Sequence, residues 1–246
     1  MSADADAGAP GSLRSLAAAA WKFRWLVELE AEARFARLAQ RLEQIGAGRE
    51  MVDLARRCSQ DERRHAGLCA ELATGYGESV PREFSPRLRE IAPRGLLLRG
   101  QVLYEVVASC CITETESMGV LTALLEAVRS PRLRQVLHEL ARDEVRHSRL
   151  GWAHLAAEHA QGTTAFLGPL VPAMLEGSVG PELFTRGSPD DEDEGLLEHG
   201  VLPRRRKLEV FRGTLEEVVF PGIDRFGVDT APARAWLTDK LHAPTR

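Results

Sequence analysis

Five residues in the order Asp-Glu-x-Arg-His occur twice in this chain, as Asp61-Glu62-Arg63-Arg64-His65 and as Asp143-Glu144-Val145-Arg146-His147, at an offset of 82 residues. The same offset carries Leu42 onto Leu124 and brings the turn at Gly46-Ala47-Gly48 close to Ser130, so helix lengths repeat along with the letters. Within each copy Glu and His stand three apart. On a helix that spacing leaves them on one face, separated by about 4.5 Å of rise and about 60° of rotation, where a carboxylate and an imidazole can share one metal ion.

The surrounding residues read as helix. Runs of Ala, Leu, Glu and Arg dominate, aromatics make up 6% of the chain, and Gly or Pro interrupt only at wide intervals. Helices are expected at about 12–45, 50–74, 100–128 and 131–162. Gly46-Ala47-Gly48 and Gly75-Tyr76-Gly77 end the first two, and Ser130-Pro131 offers the last an N-cap and a first-turn proline. The stretch from 75 to 95 holds Pro81, Pro86 and Pro93 and is too long for a tight turn, so it reads as a crossover along a bundle. The expected class is all-α: two antiparallel helical hairpins joined by one long crossover, filling 12–162, after a disordered stretch at 1–11.

Residues 163–246 form an extension in this reading. It holds an apolar piece near 165–175, an acidic run from Asp190 to Glu194, a basic run from Arg204 to Lys207, and helices expected near 205–219 and 231–241. Pro221-Gly222 is expected to break the first of these helices. Leu208, Phe211, Leu215 and Val218 make a stripe that should pack on the bundle, and the charge runs read as solvated surface.

Stripe geometry points four helices' worth of glutamates at one interior. On the second helix Met51, Ala55, Cys58, Glu62, Ala66, Cys69 and Ala73 follow steps of three and four, with His65 at the edge. On the fourth, Leu137, Leu140, Glu144, His147, Gly151 and Leu155 repeat the arrangement. On the third, Leu103, Val107, Cys110, Glu114, Met118, Leu121 and Leu125 put Glu114 at the centre of the buried face. The first helix offers Glu28 on the stripe of Ala31, Phe35, Leu38, Leu42 and Ile45, and Glu32 one turn further on. The stripe favours Glu28, whereas the 82-residue repeat maps Glu32 onto Glu114; Glu28 is preferred and Glu32 stays the alternate. Ionised carboxylates in an apolar interior are strongly disfavoured unless paired or ligated, so their convergence argues for metal.

Over about residues 20 to 160 these elements resemble the ferritin-like superfamily of di-iron carboxylate proteins, in which two helices each supply a Glu and two each supply Glu-x-x-His. The resemblance implies a ligand set of Glu28 (or Glu32), Glu62, His65, Glu114, Glu144 and His147. Two iron ions would be bridged by Glu62 and Glu144, with manganese or zinc as substitutes. Mixed imidazole and carboxylate donors suit iron and manganese, whereas structural zinc prefers thiolates. Asp61 and Asp143 would either accept the second ring N–H of the histidine on the partner helix or stand as exposed helix charges.

The activity expected first is a non-haem di-iron oxidase or oxygenase acting with dioxygen or peroxide on a small-molecule substrate, with a separate electron donor. Iron handling or peroxide reduction of the ferritin and rubrerythrin kind, and a non-catalytic metal-binding bundle, are the alternatives. The extra C-terminal mass, able to build a pocket, favours the first.

The remaining composition sets bounds. Lys and Arg number 32 against 36 Asp and Glu, a formal charge of −4, which gives no general attraction to nucleic acid. Apolar stretches fall far short of the roughly 20 residues that span a bilayer. With Asp4 and Asp6 where a basic export signal would begin, the reading is a cytoplasmic protein, monomeric or homodimeric. Cys58, Cys69, Cys110 and Cys111 form no Cys-x-x-Cys pair and are expected as free thiols that pack as small apolar groups.

Overall fold

The computed structural model describes residues 13–81, 84–162 and 164–242; the disorder expected at 1–11 lies outside them. Among the described residues every regular element is helical. Helix α1 is Leu13–Gln44 and α2 is Arg49–Gly75. Helix α3 covers 98–127, with a π-helical stretch, Val107–Thr113, between the α-helical pieces Leu98–Val106 and Glu114–Ala127. Helix α4 is Pro131–His159. Pro131 opens it at a position where a missing N–H costs nothing, but the Ser130 side chain makes no capping bond.

α1 lies along α2, α3 lies along α4, and α2 and α4 touch across the centre. Gly46, at φ 71°, makes the left-handed exit from α1 that lets α2 fold back. The crossover 76–97 is strapped to α1 through Glu90, which accepts hydrogen bonds from Arg37 and Arg41 at 3.2 and 2.8 Å. These same arginines reach the buried Glu105 of α3, so one ion-pair group ties α1, the crossover and α3 together.

The interior between these helices has three layers. At one end Trp21, Trp25, Cys69, Leu121, Leu124, Leu137 and Leu140 form an apolar cluster, and at the other Phe35, Leu38, Leu42, Cys58, Val106, Cys110 and Leu150 form a second. Each of the four helices passes from one cluster to the other, and each places a buried glutamate in the gap: Glu28 between Trp25 and Phe35, Glu62 between Cys58 and Cys69, Glu114 between Cys110 and Leu121, Glu144 between Leu140 and Leu150. A polar layer sealed by apolar layers on both sides is what gives those carboxylates a low-dielectric setting.

The π-helical stretch interrupts the α-helical course of α3 at Val107–Thr113. It takes up more residues per turn than an α-helix, so the register of side chains rotates across it. Val102 to Ile112 are buried without interruption, the extension covering the outer side, and beyond Glu114 the buried positions are Thr115, Glu116, Leu121, Leu124 and Val128, while Met118 and Leu125 lie at a partly buried edge. Gly151 of α4 fixes this stretch: a Cβ there would stand 2.7 Å from Cys110 Cβ and 2.9 Å from the backbone of Cys110 and Cys111.

After a 3-10 stretch Ala165–Leu170, α5 is Val171–Ser178, and short 3-10 turns at Pro181–Phe184, Asp190–Glu192 and Glu194–His199 follow. Helix α6 covers 204–225 as Arg204–Thr214, a π-helical stretch Leu215–Val219 and Phe220–Arg225; α7 is Ala231–His242. Pro221-Gly222 does not break α6 as the sequence suggested. The wider turns just before Pro221 coincide with the place where its ring would crowd a carbonyl of a regular α-helix. The same insertion moves the apolar stripe by one residue, burying Val219 and leaving Val218 49% exposed.

The extension shares an apolar core with the outer side of α3 and the end of α4, where Phe211, Leu215, Phe220 and Ile223 meet Cys111, Ile112 and Leu155. Its two charge runs are not merely solvated: Arg204 donates to Glu192 at 2.7 Å and Arg206 to Glu194 at 2.9 Å, joining the acidic run to the start of α6.

Candidate metal centre

Glu62 of α2 stands at the middle of the polar layer. Its Oε2 lies 3.0 Å from Nδ1 of His65, one turn on along the same helix, and its Oε1 lies 3.0 Å from Nδ1 of His147 on α4. His147 Nδ1 is also 3.0 Å from Glu144 Oε2. Glu28 approaches His65 Nδ1 at 4.0 Å. Donor atoms fall into two overlapping groups, Glu62, Glu114, Glu144 and His147 in one and Glu28, Glu62 and His65 in the other, the atoms of each within 4.8 Å of one another. All six of these residues are buried, the two histidines completely. His65, expected at the edge of its stripe, is enclosed because α4 packs on that side.

Glu32 is not among them. It turns outward and pairs with Arg63, while the Glu32 carbonyl accepts from the Ser59 hydroxyl at 3.0 Å. The reason is angular: four residues on from Glu28 a helix has advanced about 400°, and the extra 40° carries the side chain out of the layer.

Behind the histidines the two pentads clasp each other. His65 Nε2 lies 3.3 Å from Asp143 Oδ2. His147 Nε2 lies 3.5 Å from Asp61 Oδ2, without the alignment of a hydrogen bond. The fourth letter of each pentad completes the exchange. Arg64 of α2 donates to Asp143, and Arg146 of α4 donates to Asp61 at 3.2 Å. Each pentad thus sends Glu and His inward, Asp to the other's histidine and Arg to the other's aspartate. These arginines were not singled out from the sequence, although their recurrence at one position of both copies was there to be seen.

Arg24 and Ser117 were also missed, because neither belongs to the repeat. Arg24 Nε donates to Glu28 Oε1 at 3.1 Å, and the Ser117 hydroxyl donates to Glu144 Oε1 at 3.2 Å. Burial works against the charged form of Arg24, but Glu28, Cys69 and Glu144 around it hold its pKa above the usual value.

The electrostatics separate the four carboxyl groups. Burial, and then the charge of Glu62, push Glu28 well above the ordinary carboxylate range; burial and the charge of Glu144 do the same to Glu114. Glu62 is equally buried, yet hydrogen bonds from His147 and His65 outweigh that cost and hold it low. Asp143 is depressed to about 2, burial being overcome by Arg142, His65 and Arg64. His147 goes the other way: burial disfavours its cation, but Asp61, Glu144 and Glu62 raise its pKa.

This donor set fits a pair of divalent cations. Four glutamates converge in an apolar enclosure with one guanidinium among the described residues, Arg24, bonded to them, an excess of negative charge that burial makes costly. Both ring Nδ1 atoms face the carboxylates, and the opposite ring edge of His65 rests on a buried aspartate, the orientation that metal-bound imidazoles take.

A cavity of about 350 Å³ opens onto the centre between α1 and α3. Glu28, Glu62, Glu114 and Glu144 line it, and neither histidine does. The imidazoles close the far side. Trp21, Val27, Ala31, Phe35 and Leu124 make its walls apolar, and Gly200, Val201 and Leu202 from the extension complete them. His199, just before this segment, takes the Trp21 indole N–H on its carbonyl at 2.9 Å and stacks edge-on against Tyr76.

All four cysteines are free and buried. Burial pushes Cys58 up to about 12 and raises the other three, so they stay thiols and pack as apolar groups. No protein-family model matches the chain, and no curated protein matches it. No described helix is long and apolar enough to cross a membrane.

Proposed function

We propose that the chain is a ferritin-like di-iron protein that oxidises a small molecule with dioxygen or peroxide. The observation that carries this reading is the cavity that reaches four buried glutamates on their open side while two histidines close the other. Glu28, Glu62 and His65 would hold one ion and Glu114, Glu144 and His147 the other, with Glu62, which meets both histidines, and Glu144 shared between them. When bound, the metal pair supplies Lewis acidity and electrons for reduction of the oxidant.

The chain's own residues supply the rest. Asp143, held by Arg64 and Arg146, fixes the ring of His65, and Asp61 faces the ring of His147. Arg24 holds Glu28 at the cavity wall, and Ser117 orients Glu144 through its Oε1. The aromatic and aliphatic walls exclude water from the reacting face. A pocket shaped by the C-terminal extension favours substrate oxidation over simple iron storage, which needs no such enclosure.

The experiment is elemental analysis of protein purified from iron-supplemented cells, paired with oxygen-uptake measurements after reduction. About two irons per chain, with uptake that depends on added organic acids or other small molecules, is the expected result. Protein that holds no metal, or only loosely held zinc, defeats the reading.

A further inference from the structure

Arg34 lies on α1 in the wall of the cavity, partly buried, with one polar contact among the described residues, to the Ser109 hydroxyl at 3.4 Å. That contact uses one of five donors at the limit of hydrogen-bond length. Every other partly buried arginine among the described residues is answered by an anion or by carbonyls. Arg24 meets Glu28, Arg37 and Arg41 share Glu90 and Glu105, Arg146 meets Asp61 and Asp143, Arg204 meets Glu192, and Arg134 binds the Leu125 and Val128 carbonyls. Glu30, one turn before Arg34 and also in the cavity wall, does not come within ion-pair distance of it.

The hydroxyl beside Arg34 is in the same position. Ser109 is 5% exposed and receives the Arg34 contact on its oxygen, while its own hydrogen has no acceptor among the described residues. A guanidinium fork and a hydroxyl donor, side by side in the wall of the cavity, are the complement of a carboxylate. Removing such donors from water without an acceptor costs free energy that a bound anion returns.

We propose that the cavity binds an apolar monocarboxylate, aromatic or medium-chain aliphatic, with its carboxylate on Arg34 and Ser109. The placement suits the centre. Arg34 stands six residues beyond Glu28 on α1, about 9 Å of rise, and Ser109 five residues before Glu114 on α3. An acid anchored there extends past Ala31 and Phe35 toward the Glu28 and Glu114 carboxylates, within the span of such a molecule. Phe23 and Val27, 64% and 38% exposed, carry the apolar lining out to the far mouth. As a statement about substrate this rests on the proposed function; as a statement about binding it stands on Arg34 and Ser109 alone.

The test is calorimetric titration of the full-length protein, its metal content measured on the same sample, with octanoate against octanamide and benzoate against benzamide. At least one acid is expected to bind about tenfold or more tightly than its amide. Arg34→Gln should abolish that preference with metal content and melting temperature unchanged, Arg34→Lys should restore part of it, and Ser109→Ala should weaken acid binding several-fold. Equal binding of acid and amide, binding of neither, or an acid preference that survives Arg34→Gln overturns the proposal. If Arg34→Gln does not fold, the Ser109→Ala result decides. Metal without acid preference defeats this inference and leaves the di-iron reading; acid preference without metal does the reverse.

Discussion

Asp143 Oδ2 lies 3.3 Å from Nε2 of His65 although the two residues sit 78 positions apart, and the Asp143 carboxylate is wholly buried while accepting from Arg64, Arg142 and Arg146 as well. The aspartate is therefore an anion fully engaged by cations on one side and by an imidazole on the other. Its role is to hold the ring whose other nitrogen faces Glu62.

Asp143→Asn keeps the shape and removes the charge. The expected outcome is a folded protein whose iron affinity falls about 10–100-fold, measured by competition with a chromophoric chelator. Unchanged affinity would mean that the clasp between the pentads does not tune the centre.

Glu28 and Glu32 should separate cleanly. Glu28→Ala removes a donor from the enclosed layer and is expected to lower bound metal to about one ion per chain or fewer. Glu32→Ala only frees an exposed Arg63 and should leave metal content and stability as they are. Elemental analysis of both variants reads the difference, and the opposite pattern would move the ligand to Glu32.

Gly151→Ala tests the close approach of α4 to the π-helical stretch. The added methyl would meet backbone atoms of Cys110 and Cys111 at 2.9 Å, which cannot swing aside as a side chain can. A destabilisation of about 1–3 kcal/mol is expected, read from urea denaturation midpoints. Loss of metal in the same variant would show that this contact also sets the height of Glu114, three residues beyond Cys111.

His154 gives the stability an acid-side dependence. It is 3% exposed, its Nε2 has no hydrogen-bond partner, and burial lowers its pKa below the ordinary imidazole value despite Glu158 nearby. The unfolded chain then binds a proton that the folded chain refuses, so stability is full above about pH 6.5 and declines as pH falls from there toward the depressed folded value. The slope from this one group is at most about 1.4 kcal/mol per pH unit. His154→Gln should flatten the denaturation midpoint between pH 6.5 and 5 relative to the parent; an equally steep profile would place the acid sensitivity elsewhere.

The four long helices and the crossover were legible in the chain because local signals coincide there: glycine stops, a first-turn proline and stripes at helical spacing. The pentads were legible as a pair because the repeat puts the same residue types on equivalent faces. Arg24, Ser117 and Arg34 carried no such signal, since an arginine or serine on a long helix looks alike whether it meets solvent, a carboxylate or a cavity.

The limits of local pattern are clearest at the two π-helical stretches. Stripe counting at a constant 100° per residue predicted Leu125 and Val218 inside; in α6 the inserted residue moved burial on to Val219, whereas in α3 Leu124 is buried in place of Leu125 while Leu121 keeps its expected position. Side-chain periodicity along one helix therefore specified that glutamates face inward at Glu62, Glu114 and Glu144. Which aspartate backs which histidine, and where an arginine is left without an anion, depended on how helices meet, because burial and ion pairing are properties of neighbours distant in the chain.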